Sequence, residues 1–260
     1  MHIETRGQGP SLLLIHGWAM HSGLFEPLAS RLADRYTLHL VDLPGHGHAR
    51  GTRTALEPAG LARELVRQVP GATWLGWSLG GVVALRAALD HPEQVRGLVM
   101  VASSPRFVEG DDWPHGVRAS LFREFGAALG RDFRGTLDGF LALEAPGSDE
   151  GREELHQLRV RAFERGEPSE HALREGLALL DRIDMREELS DLRVPSLWLS
   201  GRRDRLVPPG AMPAAAGLSG AARSVQIDSA GHAPFLGAPD ELASEVVRFI
   251  EGLPPTDPAR

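Results

Sequence analysis

The chain has 260 residues and a mass of 28.1 kDa, room for one large domain or one domain with an insertion, and its 42% hydrophobic and 24% charged residues exclude a disordered, coiled-coil or collagen-like chain. The absence of cysteine removes disulfides, thiolate nucleophiles and Cys-based metal sites. Against 35 acidic residues stand 28 basic ones, all arginine, and the net charge of -7 argues against a nucleic-acid surface.

The opening MHIETRGQGP lacks the basic flank and apolar stretch of a secretory signal, and no apolar run reaches about 18 residues. A soluble, cytoplasmic protein with no membrane contact is the expectation. Short apolar runs at 12–15, 36–41, 73–77, 98–101, 196–199 and 224–227 read as strands, several continuous enough to be buried on both faces. Helical periodicity at 24–33, 56–69, 79–89 and 241–251 alternates with them, which predicts an α/β fold with a mostly parallel sheet and helices on both faces. The alternation stops between about 106 and 187, where only helix-like segments occur, at 120–129, 137–143, 153–164 and 170–180. We expect residues 1–105 and 188–260 to form the core and 106–187 a helical cap.

Chemistry concentrates at the expected strand ends. Gly76-Trp-Ser78-Leu-Gly80 fills G-x-S-x-G between a strand and a helix, where a tight turn exposes a serine oxygen above a helix N-terminus. A serine hydroxyl needs a base, and the base an orienting acid. Asp204 follows the strand at 196–199, His232 lies in Gly231-His-Ala-Pro-Phe before the last helix, and Ser78, Asp204, His232 stand in nucleophile, acid, base order. Asp184 and Asp228 are the rival acids. The oxyanion of acyl transfer needs two N–H donors, for which Leu79, beside the nucleophile, and Trp18, in the loop His16-Gly17-Trp18, are placed; Trp18 should also wall the acyl pocket. His16 reads as a structural loop histidine. Asp42 with His46 and His48 reads as a structural turn, since i, i+2 histidines make a poor metal signature. No metal and no cofactor are expected.

Together, His16-Gly-Trp, Asp42-Leu-Pro-Gly-His-Gly, Gly76-Trp-Ser-Leu-Gly-Gly, Asp204-x-Leu-Val-Pro and Gly231-His-Ala-Pro-Phe resemble the α/β-hydrolase superfamily. Val101-Ala-Ser-Ser-Pro, Asp112-Trp-Pro and Phe140-Leu-Ala-Leu narrow the resemblance to the pimeloyl-[acyl-carrier protein] methyl ester esterases of biotin synthesis. The resemblance implies a serine esterase with Ser78, Asp204 and His232 as triad, Trp18 and Leu79 as oxyanion and substrate contacts, and Phe140, Leu141, Ala142, Leu143 and Glu144 lining an acyl channel. It also implies that the substrate is a methyl-esterified pimeloyl chain on acyl carrier protein; small esters and a monomeric state are further expectations. Two departures stand out: the segment before the first buried strand is short, and Gly135 and Gly139 occupy cap positions where basic docking residues are expected. Arg152, His156 and Arg159, on one helical face with Arg161 and Arg165 nearby, are the substitute docking candidates. The alternatives are a general short-chain carboxylesterase, a lactonase, a carbon–carbon bond hydrolase or a non-catalytic ligand receptor, because fold alone does not assign chemistry.

Overall fold

The computed structural model describes residues 1–144 and 149–254; the side chains of Glu144, residues 149–151, Glu153 and Glu154 lie outside that description. Seven strands form one sheet in the order β1-β3-β2-β4-β5-β6-β7. These are β1 (His2–Gly7), β2 (Ser11–Ile15), β3 (Thr37–Asp42), β4 (Ala72–Trp77), β5 (Val95–Val101), β6 (Ser196–Gly201) and β7 (Ala222–Ile227). All neighbouring pairs are parallel except β1 with β3. Every residue of β4 and β6 is buried, so Ala-Thr-Trp-Leu-Gly-Trp and Ser-Leu-Trp-Leu-Ser-Gly carry no polar alternation.

The helices are α1 (Glu26–Leu32), α2 (Pro58–Gln68), α3 (Leu79–Asp90), α4 (Leu121–Leu129), α5 (Phe133–Glu144), α6 (Asp149–Arg161), α7 (Glu170–Arg182), α8 (Ala211–Gly217), α9 (Pro234–Gly237) and α10 (Pro239–Glu251). Local chemistry sets several boundaries. Pro58 takes the first turn of α2, where its missing N–H costs nothing, and the Glu57 carboxylate accepts from the N–H groups of Ala59 and Gly60. Ser169 caps α7 through Ala172 N–H. α3, Leu-Gly-Gly-Val-Val-Ala-Leu-Arg-Ala-Ala-Leu-Asp, is buried along most of its length and lies on β4 and β5; α1 packs on α10 and α2 on α3.

Between β5 and β6, the described residues hold α4–α7 and two isolated bridges, Val108 with Val117 and Gly110 with Trp113. Three elements differ from the sequence reading. β1 is a full antiparallel edge strand, overlooked because its alternation is of charged and half-buried residues; α8, mostly alanine, carries no periodicity; and α9 is a single turn opened by Pro234.

Candidate active site

The turn between β4 and α3 holds Ser78 at φ 52°, ψ -120°, in the left-handed half of conformational space, where an L residue costs of order 1–3 kcal/mol. Its flanking glycines are required by close approach. A Cβ on Gly76 would lie 2.5 Å from the Gly80 carbonyl oxygen, and one on Gly80 would lie 2.3 Å from that of Ile15. The strained residue is held on both sides: Ser78 N–H donates to the Val101 carbonyl at 3.0 Å, and the Ser78 carbonyl accepts from Gly81 N–H at 2.9 Å and Ser103 Oγ at 2.7 Å. Leu79 opens α3, so its N–H belongs to the first turn, whose donors have no acceptor within the helix.

Asp204 follows β6, and His232 sits between β7 and α9. His232 Nδ1 lies 2.8 Å from Asp204 Oδ2, and the other carboxylate oxygen accepts from the N–H groups of Leu206 and Val207, both at 2.8 Å. A carboxylate can only accept, so Nδ1–H donates to it, and the basic lone pair of the neutral ring is the one on Nε2. Both side chains are wholly buried, and Nε2 has no hydrogen-bond partner. No hydrogen bond therefore joins Nε2 to the Ser78 hydroxyl. The His232 carbonyl accepts from Trp77 Nε1 at 2.8 Å, and the two rings lie 5.7 Å apart, so the base loop is packed against the residue preceding the nucleophile.

The loop after β2 closes the site from another side. A Cβ on Gly17 would stand 3.1 Å from Ser78 Cβ, which places that loop directly over the serine. The next residue, Trp18, is buried; its indole N–H donates to the Leu173 carbonyl on α7 at 2.9 Å, and its ring meets Phe140 of α5 at 4.4 Å. A Cβ on Gly176 would be 2.5 Å from Trp18 Cδ1 and 3.2 Å from Leu79 Cδ1, so α7 rests on both residues. Within 140–144 the structure brings Phe140 to Trp18. Leu141 is buried beside a surface groove, Ala142 is exposed, Leu143 is half-buried, and the Glu144 side chain falls outside the described residues.

The docking candidates separate. Arg159 pairs bidentately with Asp138 at 2.5 and 2.7 Å and, with Arg50 and Arg134, lines a groove of about 860 Å³ beside Leu141 and Phe163; Arg152 and His156 are exposed on α6. Arg165 does not belong to that outer face. It turns toward the core, donating to Ser22 Oγ at 2.8 Å, Asp42 Oδ2 at 3.3 Å and Glu4 Oε2 at 3.0 Å, because Asp42 is wholly buried and needs a cation.

Around Asp42 lies a nest of histidines. His16 Nδ1–H donates to the Gly17 carbonyl at 2.7 Å while Nε2 accepts from Leu43 N–H at 3.0 Å; His46 Nδ1–H donates to the Pro44 carbonyl at 2.9 Å. Burial, reinforced by the neighbouring His46, pushes the His16 pKa down, and burial lowers that of His46 to about 4. Burial opposes charge on Asp42, yet His16 and the N–H groups of Ser22 and His48 outweigh it and hold the carboxyl below its usual range. Among the described residues, no group of three or more His, Asp or Glu is arranged to hold a metal. No helix of the described residues is long and apolar enough to cross a membrane.

Residues 10–239 match the family model of the alpha/beta hydrolase fold. The chain is 54% identical over 257 residues to a pimeloyl-[acyl-carrier protein] methyl ester esterase of Stenotrophomonas maltophilia, covering 99% of each, and 52% identical over 254 residues to one of Xanthomonas oryzae pv. oryzae, covering 98% of this chain and all of that protein. Its fold superposes on an esterase from Exiguobacterium antarcticum with a TM-score of 0.86 at 23% identity, covering 96% of this chain and 95% of the other. With a family match spanning most of its length and identity above one half to full-length relatives, the chain belongs to the α/β-hydrolase family.

Proposed function

We propose that this protein hydrolyses the methyl ester of a pimeloyl chain carried by acyl carrier protein, in the cytoplasm and as a monomer, with Ser78, His232 and Asp204 as its catalytic triad. The observation that carries the reading is a strained serine at a strand–helix turn together with a buried, Asp-oriented histidine whose carbonyl is bonded by the residue preceding that serine, in a chain more than half identical to esterases of that name.

On this reading the residues in place carry out the steps in turn. Nε2 of His232 takes the Ser78 proton as Oγ attacks the ester carbonyl, and the Nδ1–H bond to Asp204 steadies the resulting imidazolium. The carbonyl oxygen becomes an anion between the N–H groups of Leu79 and Trp18, whose positions are set by the start of α3 and the loop after β2. Collapse breaks the bond to the methoxy oxygen, which leaves as methanol with the proton from His232. Water then attacks the acyl-serine, giving its proton to His232, and the second collapse returns that proton to Ser78 Oγ and frees the carboxylic acid. Trp18 and Phe140 offer an aromatic wall for the acyl chain, with Leu79 beneath. Residues 106–187 act as a cap, and Arg159 and Arg152 serve the acidic carrier, Arg159 from the rim of the groove it shares with Arg50 and Arg134.

The test is direct. Methyl-pimeloyl-acyl carrier protein incubated with the enzyme should lose the mass of one methylene by intact-protein mass spectrometry. p-Nitrophenyl esters of increasing chain length, run in parallel, should be poorer substrates by kcat/KM. A preference for the free esters would overturn the carrier assignment and leave a general esterase.

A further inference from the structure

Between the nucleophile turn and the base loop stands one side chain that no catalytic step uses. Trp77 is the last residue of β4, and its ring is wholly buried. Its indole N–H donates to the His232 carbonyl at 2.8 Å across 155 residues of sequence. One side of the ring system approaches the imidazole at 5.7 Å, and Phe235, next to the helix-opening Pro234, meets it edge-on at 4.7 Å. Gly17 lies against the same indole: a Cβ there would be 3.2 Å from Trp77 Cε3 and 3.1 Å from Ser78 Cβ. The strand end that carries the nucleophile, the loop that offers the Trp18 N–H and the loop that carries the base thus converge on one indole.

On the reading of Ser78 and His232 as nucleophile and base, we infer that Trp77 is a positioning residue, setting the distance between base and nucleophile through its hydrogen bond to the His232 carbonyl. Asp204 fixes the tautomer and tilt of the imidazole but sits on the far side of it, after β6, and holds nothing of β4. The Asp204–His232 pair could shift as a unit and keep its own bond. The Trp77 bond opposes that shift, because the donor is rigidly part of the nucleophile strand. An apolar ring at this position would fill the space, and the buried indole N–H of Trp74 on the same strand has no acceptor, so burial alone does not explain the Trp77 bond; its acceptor is the base residue itself. No other backbone donor among the described residues bonds that carbonyl: the nearby N–H groups of Leu236 and Gly237 both turn to Ala233. Removing the indole N–H therefore leaves a buried carbonyl free to seek another partner, taking the imidazole with it.

Two variants separate the bond from the packing. Trp77→Phe removes the N–H and part of the ring; site-specific replacement of Trp77 by benzothienylalanine swaps N–H for sulfur and keeps the shape. The readouts are kcat and KM on a methyl ester, the rate at which a fluorophosphonate labels Ser78, and the thermal midpoint. A displacement of the base by a fraction of an ångström to one ångström lowers kcat by roughly 10- to 100-fold. We expect that fall in the benzothienyl protein, with KM within about twofold of wild type and labelling slowed in parallel, while the folded fraction stays unchanged. Wild-type kcat in the benzothienyl protein, or a loss in either variant that merely follows the unfolded fraction, overturns the inference. Failure of the wild-type enzyme to be labelled at Ser78 overturns instead the functional reading beneath it.

Discussion

His46 converts acidity into loss of structure. Its ring is buried, with Nδ1–H bonded to Pro44 and Nε2 unpartnered. Burial lowers its pKa from 6.5 to about 4, against the opposing pull of the Pro44 carbonyl and Asp42. The folded-state value is the depressed one, so as pH falls the unfolded chain binds the proton first; stability is complete above about pH 6.5 and erodes from there down to about pH 4. At about 1.36 kcal/mol per unit, the whole gap is worth about 3 kcal/mol, of which about 2 kcal/mol disappears between pH 7 and pH 5. His46→Asn keeps an N–H that can reach Pro44 and cannot titrate in this range. Urea unfolding of both proteins at the two pH values should show wild type losing about 2 kcal/mol more than the variant. His16, whose pKa is lowered chiefly by burial and then by His46, stays depressed in both proteins, so its loss over this window largely cancels from the difference. Equal losses in the two proteins would show that His46 is not held neutral by the fold, and the reasoning would fail.

Three further outcomes follow from the site. Ser78→Ala should lower kcat by roughly a million-fold if the triad acts as a unit, measured on the methyl ester with trace wild-type activity removed; near-normal turnover would refute the nucleophile. Asp204→Asn keeps an oxygen able to accept from Leu206 and Val207 but offers an N–H toward His232 Nδ1, forcing the wrong tautomer; kcat should fall about 10⁴-fold with little change in thermal midpoint. Gly176→Ala places a methyl group 2.5 Å from Trp18 Cδ1, and such overpacking should cost about 1–3 kcal/mol by denaturant titration; an unchanged midpoint would mean that α7 does not bear on Trp18 as described.

What could be read along the chain and what could not divides by the range of the interaction. The serine turn is legible because every requirement is local: a buried strand, glycines where Cβ atoms would collide, and a helix start lie within ten residues. Asp204 and His232 are legible through their order and their places after strands, although the 2.8 Å bond between them joins residues 28 apart. Arg165 shows the opposite case. It lies in the turn after α6, and the sequence reads it as one more arginine near an outer basic face; the fact that turns it inward is the complete burial of Asp42, at the end of β3, beside Glu4 on an edge strand whose alternation is too polar to announce itself. Trp77 is similar: in sequence it is the variable residue of G-x-S-x-G, and only the folded chain shows its N–H committed to the base residue 155 positions away. Polar groups that must find a partner on burial therefore decide which long-range contacts form, while the residue pattern along the chain decides only that they will be buried. It follows that the chemistry of this site is encoded locally, but the precision with which its parts meet is encoded in pairs such as Trp77 with His232 and Arg165 with Asp42, whose members carry no local mark of their partnership.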